Sequence, residues 1–186
     1  IKRKYNLPID KKIVIYGGNL GKPQGLSFLL ETIKKNENVD VFFLIVGNGT
    51  EFSSIQKWFN NEQPRNAKLI QSLPKTDYDI LLAACDIGLI FLHKDFRIPN
   101  FPSRLLSYLE MKMPVIAATD LNSDIGSVIE EAGCGFWVRT GDIQKMNDNI
   151  NQCLLMIDQM GENSKKLLLE KYIVDFSYQK IISKIK

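Results

Sequence analysis

Six short apolar runs recur along the chain, and each gap between them is too long for a hairpin. They read KIVIYGG, VFFLIVG, AKLIQSL, IGLIFL, VIAAT and GFWV. Several carry apolar residues at successive positions, which suits strands covered on both faces. Between them the spacing turns helical. Leu26, Leu29, Leu30 and Ile33 share one face, with Glu31, Lys34 and Lys35 opposite. Further helices are expected around Phe52, Ile55, Trp58 and Phe59, in DYDILLAAC, in SDIGSVIEEAG, over 143–156 and 162–172, and from Phe176. Strands alternating with helices favour the α/β class: three layers, α/β/α, around a six-stranded parallel sheet of order 3-2-1-4-5-6. A ligand then belongs at the carboxyl ends of strands one and four.

That order sets two loops side by side. The first is YGGNLGKPQG. It does not spell GxGxxG and no GK[ST] follows, so it is neither a dinucleotide fingerprint nor a Walker loop. It offers the backbone N–H groups of Gly17, Gly18 and Gly21, the amides of Asn19 and Gln24, and the cation Lys22. A turn that needs glycine for positive φ is the plainer reading. The second loop, HKDFRIPNF, runs into PSRLLSYLEMKMPVIAATD. Phe101, Leu105, Leu106 and Leu109 predict a helix there, with Pro102 in its first turn and Asn100 or Ser103 as cap. Arg97 and Arg104 flank its start, and a helix start with guanidinium groups suits a phosphate. Surface ion pairs with Asp95 or Asp120 are the competing reading of these arginines. His93 has no nameable partner for acid–base work. Glu130 and Glu131 read as a solvated helix end, and Trp58, Phe59 and Trp137 as core or domain-contact aromatics. No catalytic residue emerges from the pattern.

A net charge of +3, with lysines scattered along the chain, gives no nucleic-acid footprint. At 45% hydrophobic and 24% charged residues, the 186-residue chain can build one sizeable core. Cys85, Cys134 and Cys153 form no CxxC pair, and a single histidine cannot complete a zinc site with them. Reduced thiols in a cytoplasmic protein are expected. No signal peptide is visible and no apolar run is long enough to cross a bilayer. The first residue is Ile, so the chain is expected to be part of a longer protein.

Four segments, GGNLGKPQGLSFLL, DILLAACDIGLIFL, PSRLLSYLEMKMPVIA and GCGFWVRTGD, follow one another in an order that resembles retaining, family-4-like glycosyltransferases. Over about residues 11–176 the chain is similar to their C-terminal, donor-binding domain, one Rossmann-like half of a GT-B fold. It is most like the bacterial surface-polysaccharide branch, with its GNLG…QG turn and PSK-type helix start. The resemblance implies a nucleoside-diphosphate sugar in a cleft that faces a second, N-terminal Rossmann domain outside this chain. By position, Gly18, Asn19, Gln24 and Gly25 would lie against the diphosphate, with Lys22 as the nearby cation. The base would sit near Gln71, Ser72 and Leu73. Sugar and phosphates would meet Asn100, Phe101, Ser103 and Arg104, with Arg97 close by, and Ser107 would face the ribose.

The resemblance further implies transfer with retention, without metal or cofactor, to a glycan or lipid-linked acceptor. It implies peripheral placement at the inner face of the cell membrane, and a last helix, 174–186, crossing to the other domain. The sequence departs from the family pattern in three places. Asn19 and Gln24 stand where many relatives carry Arg and Lys. Pro99 and Ser107 stand where many carry glutamates. Lys112-Met113 replaces the usual glycine before Pro-Val. Two other readings stay open: a non-catalytic partner domain, and one half of a sugar-nucleotide epimerase.

Overall fold

The computed structural model describes residues 1–95, 101–121 and 123–173. Its strands are β1 (Lys12–Asn19), β2 (Val41–Asn48), β3 (Ala67–Gln71), β4 (Ile87–Phe91), β5 (Val115–Thr119) and β6 (Gly135–Arg139). All pair in parallel, in the order β3-β2-β1-β4-β5-β6 that the alternation of runs predicts. The helices are α1 (Ser27–Lys35), α2 (Phe52–Glu62), α3 (Lys75–Leu82), α4 (Arg104–Glu110), α5 (Ile125–Glu131), α6 (Ile143–Leu155) and α7 (Ile157–Lys171).

Successive strand residues face opposite sides of the sheet. Val14 and Tyr16 of β1 enter one core and Ile13 and Ile15 the other, all fully buried. This two-sided burial is why the strands show little polar alternation. Leu29, Ile33, Met146 and Ile150 close the first core from α1 and α6. Leu81, Leu105, Leu109, Ile129 and Leu167 close the second from α3, α4, α5 and α7. Each fully covered Leu or Ile contributes about 1.5–3 kcal/mol. Stability therefore resides in the sheet centre, and polar residues on its carboxyl rim are free to serve a ligand.

The stretch around α4 differs from the sequence expectation. Phe101 and Pro102 precede the helix and do not belong to it. The Leu105 N–H turns onto the Pro102 carbonyl and the Leu106 N–H onto that of Ser103, a tight entry turn. Ser103 holds the N-cap position without a side-chain capping bond. The buried face is Leu105, Tyr108 and Leu109, and Leu106 is only partly covered. Phe101 is 39% exposed and leans on Tyr172, ring centroids 5.5 Å apart. At the far end Lys112 adopts φ 55, with Met113 N–H bonded to the Tyr108 carbonyl and Lys112 N–H to that of Leu109. This is a Schellman motif, which usually carries glycine at its left-handed position.

The expected 162–172 helix begins earlier, at Ile157. Gly161 does not break it, because a bare Cα there lets α7 close on the Lys112 carbonyl. The helix expected from Phe176, and the site candidates Arg97 and Asn100, lie outside the described residues.

Candidate functional site

β1 and β4 pair only through Val14–Ile87 and Ile15–Gly88. Beyond these, β1 follows β2 as far as Asn19–Asn48, and β4 follows β5 as far as Phe91–Ala118. The sheet thus splits at its carboxyl edge, where the strand order reverses and a crevice opens. Tyr108 of α4 bridges the base of the split. Its hydroxyl accepts from the Gly17 N–H at 3.3 Å and donates to the Leu89 carbonyl at 3.2 Å. Burial holds this phenol well above its usual range, so it stays neutral and able to donate.

Arg104 sits one turn before Tyr108 on α4. The helix packs on one side of the sheet, whereas Tyr16 belongs to the core of the other side, so the Arg104 side chain spans the split. Its guanidinium carbon lies 4.3 Å from the centre of the Tyr16 ring. Nη2 donates to Gln24 Oε1 at 3.1 Å. Nη1 is fully covered and has no hydrogen-bond partner. Among the described residues no carboxylate pairs with this cation.

Magnitudes decide what that means. The ring contributes up to about 2 kcal/mol, and a hydrogen bond to a charged group about 1.5–3 kcal/mol. Taking an ion out of water costs several kcal/mol, less for a half-covered one. The neutral neighbours offset part of that cost and leave the charge unpaired among the described residues, so the site favours an anion. Gly18 faces the same group. Its φ is 125, and a Cβ there would stand 3.3 Å from Nη2 and 3.4 Å from Cζ.

The two loops meet physically. Gln24 ends a short 3-10 turn, Lys22–Gln24, and the His93 N–H after β4 donates to the Pro23 carbonyl at 2.8 Å. Gly25 packs on the His93 backbone. His93 itself makes a local turn, with Nδ1 accepting from the Asp95 N–H at 3.2 Å and the Asp95 carboxylate at 3.7 Å.

A cleft of about 550 Å³ runs along this edge. It collects Gly18, Asn19, Ser72, Leu73, Ser103, Arg104 and Ser107 from the sequence candidates. Gln24 stands behind the cleft, 9% exposed, its side-chain oxygen engaged by Arg104 and 3.2 Å from the Tyr16 hydroxyl. Lys22 is exposed on the turn, and neither it nor Gly25 lines the cleft. Phe101 points to Tyr172 instead. Sequence reasoning missed Tyr16, Tyr78, Tyr108 and Asn48. Tyr78 and Asn48 line the cleft, and burial pushes the Tyr78 phenol up to about 12. The one available signal was Tyr108, spaced four residues from Arg104 on the buried face of α4.

A parallel α/β sheet with a crevice suited to an anion at its switch point is an architecture that binds nucleotides. The family model for glycosyl transferases group 1 matches residues 1–167, and the chain belongs to that family. It is 25% identical over 173 residues to the "Probable glycosyltransferase WbjE" of Pseudomonas aeruginosa, covering 91% of this chain and 43% of that protein. It is 26% identical over 160 residues to the "Putative colanic acid biosynthesis glycosyl transferase WcaI" of Escherichia coli, covering 84% of this chain and 39% of that protein. The chain therefore spans about four-tenths of the length of these curated relatives. In fold it matches the crystal structure of Anabaena Alr3699/HepE in complex with UDP, with a TM-score of 0.81 at 17% identity, over 99% of this chain and 50% of that one. Among the described residues no helix is long and apolar enough to cross a membrane.

Proposed function

We propose that residues 1–186 form the donor-binding, C-terminal domain of a two-domain retaining glycosyltransferase. The whole protein moves a sugar from a nucleoside-diphosphate donor to a glycan or lipid-linked acceptor during surface-polysaccharide synthesis. The observation that carries this reading is the Arg104 guanidinium, which lines the cleft beside Gly18 and has no carboxylate partner among the described residues. A diphosphate supplies the missing counter-charge there, flanked by the Gly18 and Asn19 backbone. Ser72 and Leu73 flank the base, and Ser103 and Ser107 the ribose and sugar. As the sugar–phosphate bond breaks, negative charge grows on the departing diphosphate, and a fixed cation stabilises that change. The family membership, the polysaccharide relative and the UDP-bound neighbour support the same assignment. The second Rossmann domain, the acceptor site and peripheral placement on the inner face of the membrane belong to the same proposal.

Among the described residues that line the cleft there is no carboxylate. This favours, as a second reading, a domain that holds the nucleotide without turnover.

Titration of the chain with UDP, GDP and dTDP, followed by amide NMR, tests the binding step. Shifts at Gly18, Leu73 and Arg104 are expected with one of the three. No shift at those residues with any of them at millimolar concentration contradicts the assignment. Transfer by the full-length protein from the donor so identified separates the enzyme from the non-catalytic reading.

A further inference from the structure

The donor-binding reading leaves a question about Arg104. A side chain with four rotatable bonds is useful as a fixed cation only if something fixes it. Salt bridges usually do this, but a carboxylate partner would also cancel the charge that a diphosphate needs. The environment of Arg104 holds the group without neutralising it. Gln24 Oε1 accepts from Nη2 at 3.1 Å. An arginine can only donate, so the Gln24 amide must present its oxygen here and its NH₂ elsewhere. The Tyr16 hydroxyl stands 3.2 Å from the same oxygen and donates to the Asn19 carbonyl at 2.8 Å. The Tyr16 ring lies under the guanidinium at 4.3 Å. Tyr16 is fully covered and Gln24 nearly so, so neither can swing away or hydrate. The contacts use Nη2 and one face of the guanidinium plane, and they leave Nη1 unspent.

We infer that Gln24 and Tyr16 are positioning residues, a neutral clamp that aims Arg104 at the donor's diphosphate without cancelling its charge. This inference rests on the donor-binding reading and deepens it. It assigns to Gln24 a role through Arg104 and not through contact with the nucleotide. The choice of an amide follows from charge. A carboxylate at position 24 would hold the guanidinium equally well and repel the diphosphate, and a lysine there would push the guanidinium away. The Asn19 carbonyl held by Tyr16 ties the clamp to the turn that also carries Gly18, so cation and turn move as one unit.

The test is calorimetric titration of the full chain with UDP, GDP and dTDP, and with uridine, guanosine and thymidine, for wild type and five variants. With whichever diphosphate binds, Gln24→Met weakens binding about tenfold, the loss of one hydrogen bond to a charged group. The matching nucleoside, which lacks phosphates, binds all variants alike. Gln24→Glu keeps shape and acceptor and loses at least as much. Tyr16→Phe, which keeps the ring, loses less than Gln24→Met. In the Arg104→Ala background, Gln24→Met has no further effect, because its action passes through the guanidinium. Thermal melts check that each variant is folded, and Gln24→Glu carries the test if Gln24→Met is not. A wild-type affinity for Gln24→Met and Gln24→Glu, or an equal loss in the Arg104→Ala background, overturns the clamp. If Arg104→Ala alone leaves diphosphate binding intact, the donor-binding reading falls, and the two failures are thereby told apart.

Discussion

Of two hollows that the described residues line at the carboxyl edge of the sheet, the larger is not the candidate site. The hollow at the ends of β4, β5 and β6 measures about 810 Å³, against about 550 Å³ for the cleft at the β1–β4 split. It is rich in charge, lined by Lys94, Asp95, Asp120, Arg139 and Asp142. But that charge is of both signs, and its acids have local work: Asp142 caps α6 by accepting from the Lys145 N–H, and the Asp95 carboxylate stands 3.7 Å from His93 Nδ1. The smaller cleft holds one cation, no carboxylate among its described lining, and a buried neutral scaffold around the cation. Volume and polarity alone favour the wrong hollow. What separates them is an uncompensated charge that the fold has already oriented.

Removing one arginine from each region should set the two apart most strongly. Arg104→Ala is expected to weaken diphosphate binding about 100-fold, the loss of a charge-assisted contact. Arg139→Ala, in the hollow, is expected to leave binding unchanged. Calorimetry on both variants reads this, and equal losses would erase the distinction.

Gly18→Ala comes next. It places a side chain at φ 125 and sets a methyl against the guanidinium. It is expected to cost about 1–3 kcal/mol of stability through backbone strain. It should also weaken diphosphate binding several-fold, measured by denaturant melts and titration together.

How far the sequence reveals this contrast depends on the range of the contacts. Strand order and helix positions follow from local apolar spacing, because burial on both faces leaves a pattern in consecutive residues. The meeting of the NLGKPQG turn with the loop after β4 follows from topology alone. The clamp does not follow, because Arg104 and Gln24 lie far apart in the chain and meet only through the fold. Tyr16 and Tyr108 read as two more apolar positions, since nothing in their neighbours tells which way a hydroxyl points. Phe101 fitted the helical spacing of Leu105 and Leu109, yet the turn at Pro102 and Ser103 swings it out to Tyr172. The helix expected over 162–172 starts at Ile157, because Gly161 is a packing contact with the Lys112 carbonyl.

pH gives a smaller test. Burial raises the Tyr78 phenol to about 12, so it stays neutral in the cleft through the neutral and mildly basic range. Diphosphate binding is expected to stay level from about pH 7 to about pH 9, where nucleotide phosphates are already ionised. The same shift governs stability. A group whose folded pKa is raised lends stability that is whole below the unfolded value and is lost as pH rises through the folded one. For Tyr78 the window runs from 10.0 to about 12, and for buried Cys153 from 9.0 to about 12. Urea melts across pH should therefore be flat below this window and decline within it. A decline beginning near neutrality would point to a titrating group in the fold that these shifts do not include.

The smallest effect lies away from both regions. Lys112→Gly relieves a left-handed lysine at the end of α4 and gives up only an exposed pair with Glu162. A gain of about 0.5–1 kcal/mol with unchanged diphosphate binding is expected. A gain in binding would mean that α4 is not yet held where the cleft needs it.

The side-chain NMR signals of Arg104, recorded while the chain is titrated with a diphosphate and separately with its nucleoside, show whether this cation meets the phosphates. The guanidinium signals are expected to move and sharpen with the diphosphate and stay still with the nucleoside. A diphosphate that binds while those signals stay in place, with shifts gathered instead at Lys94 and Arg139, would contradict it.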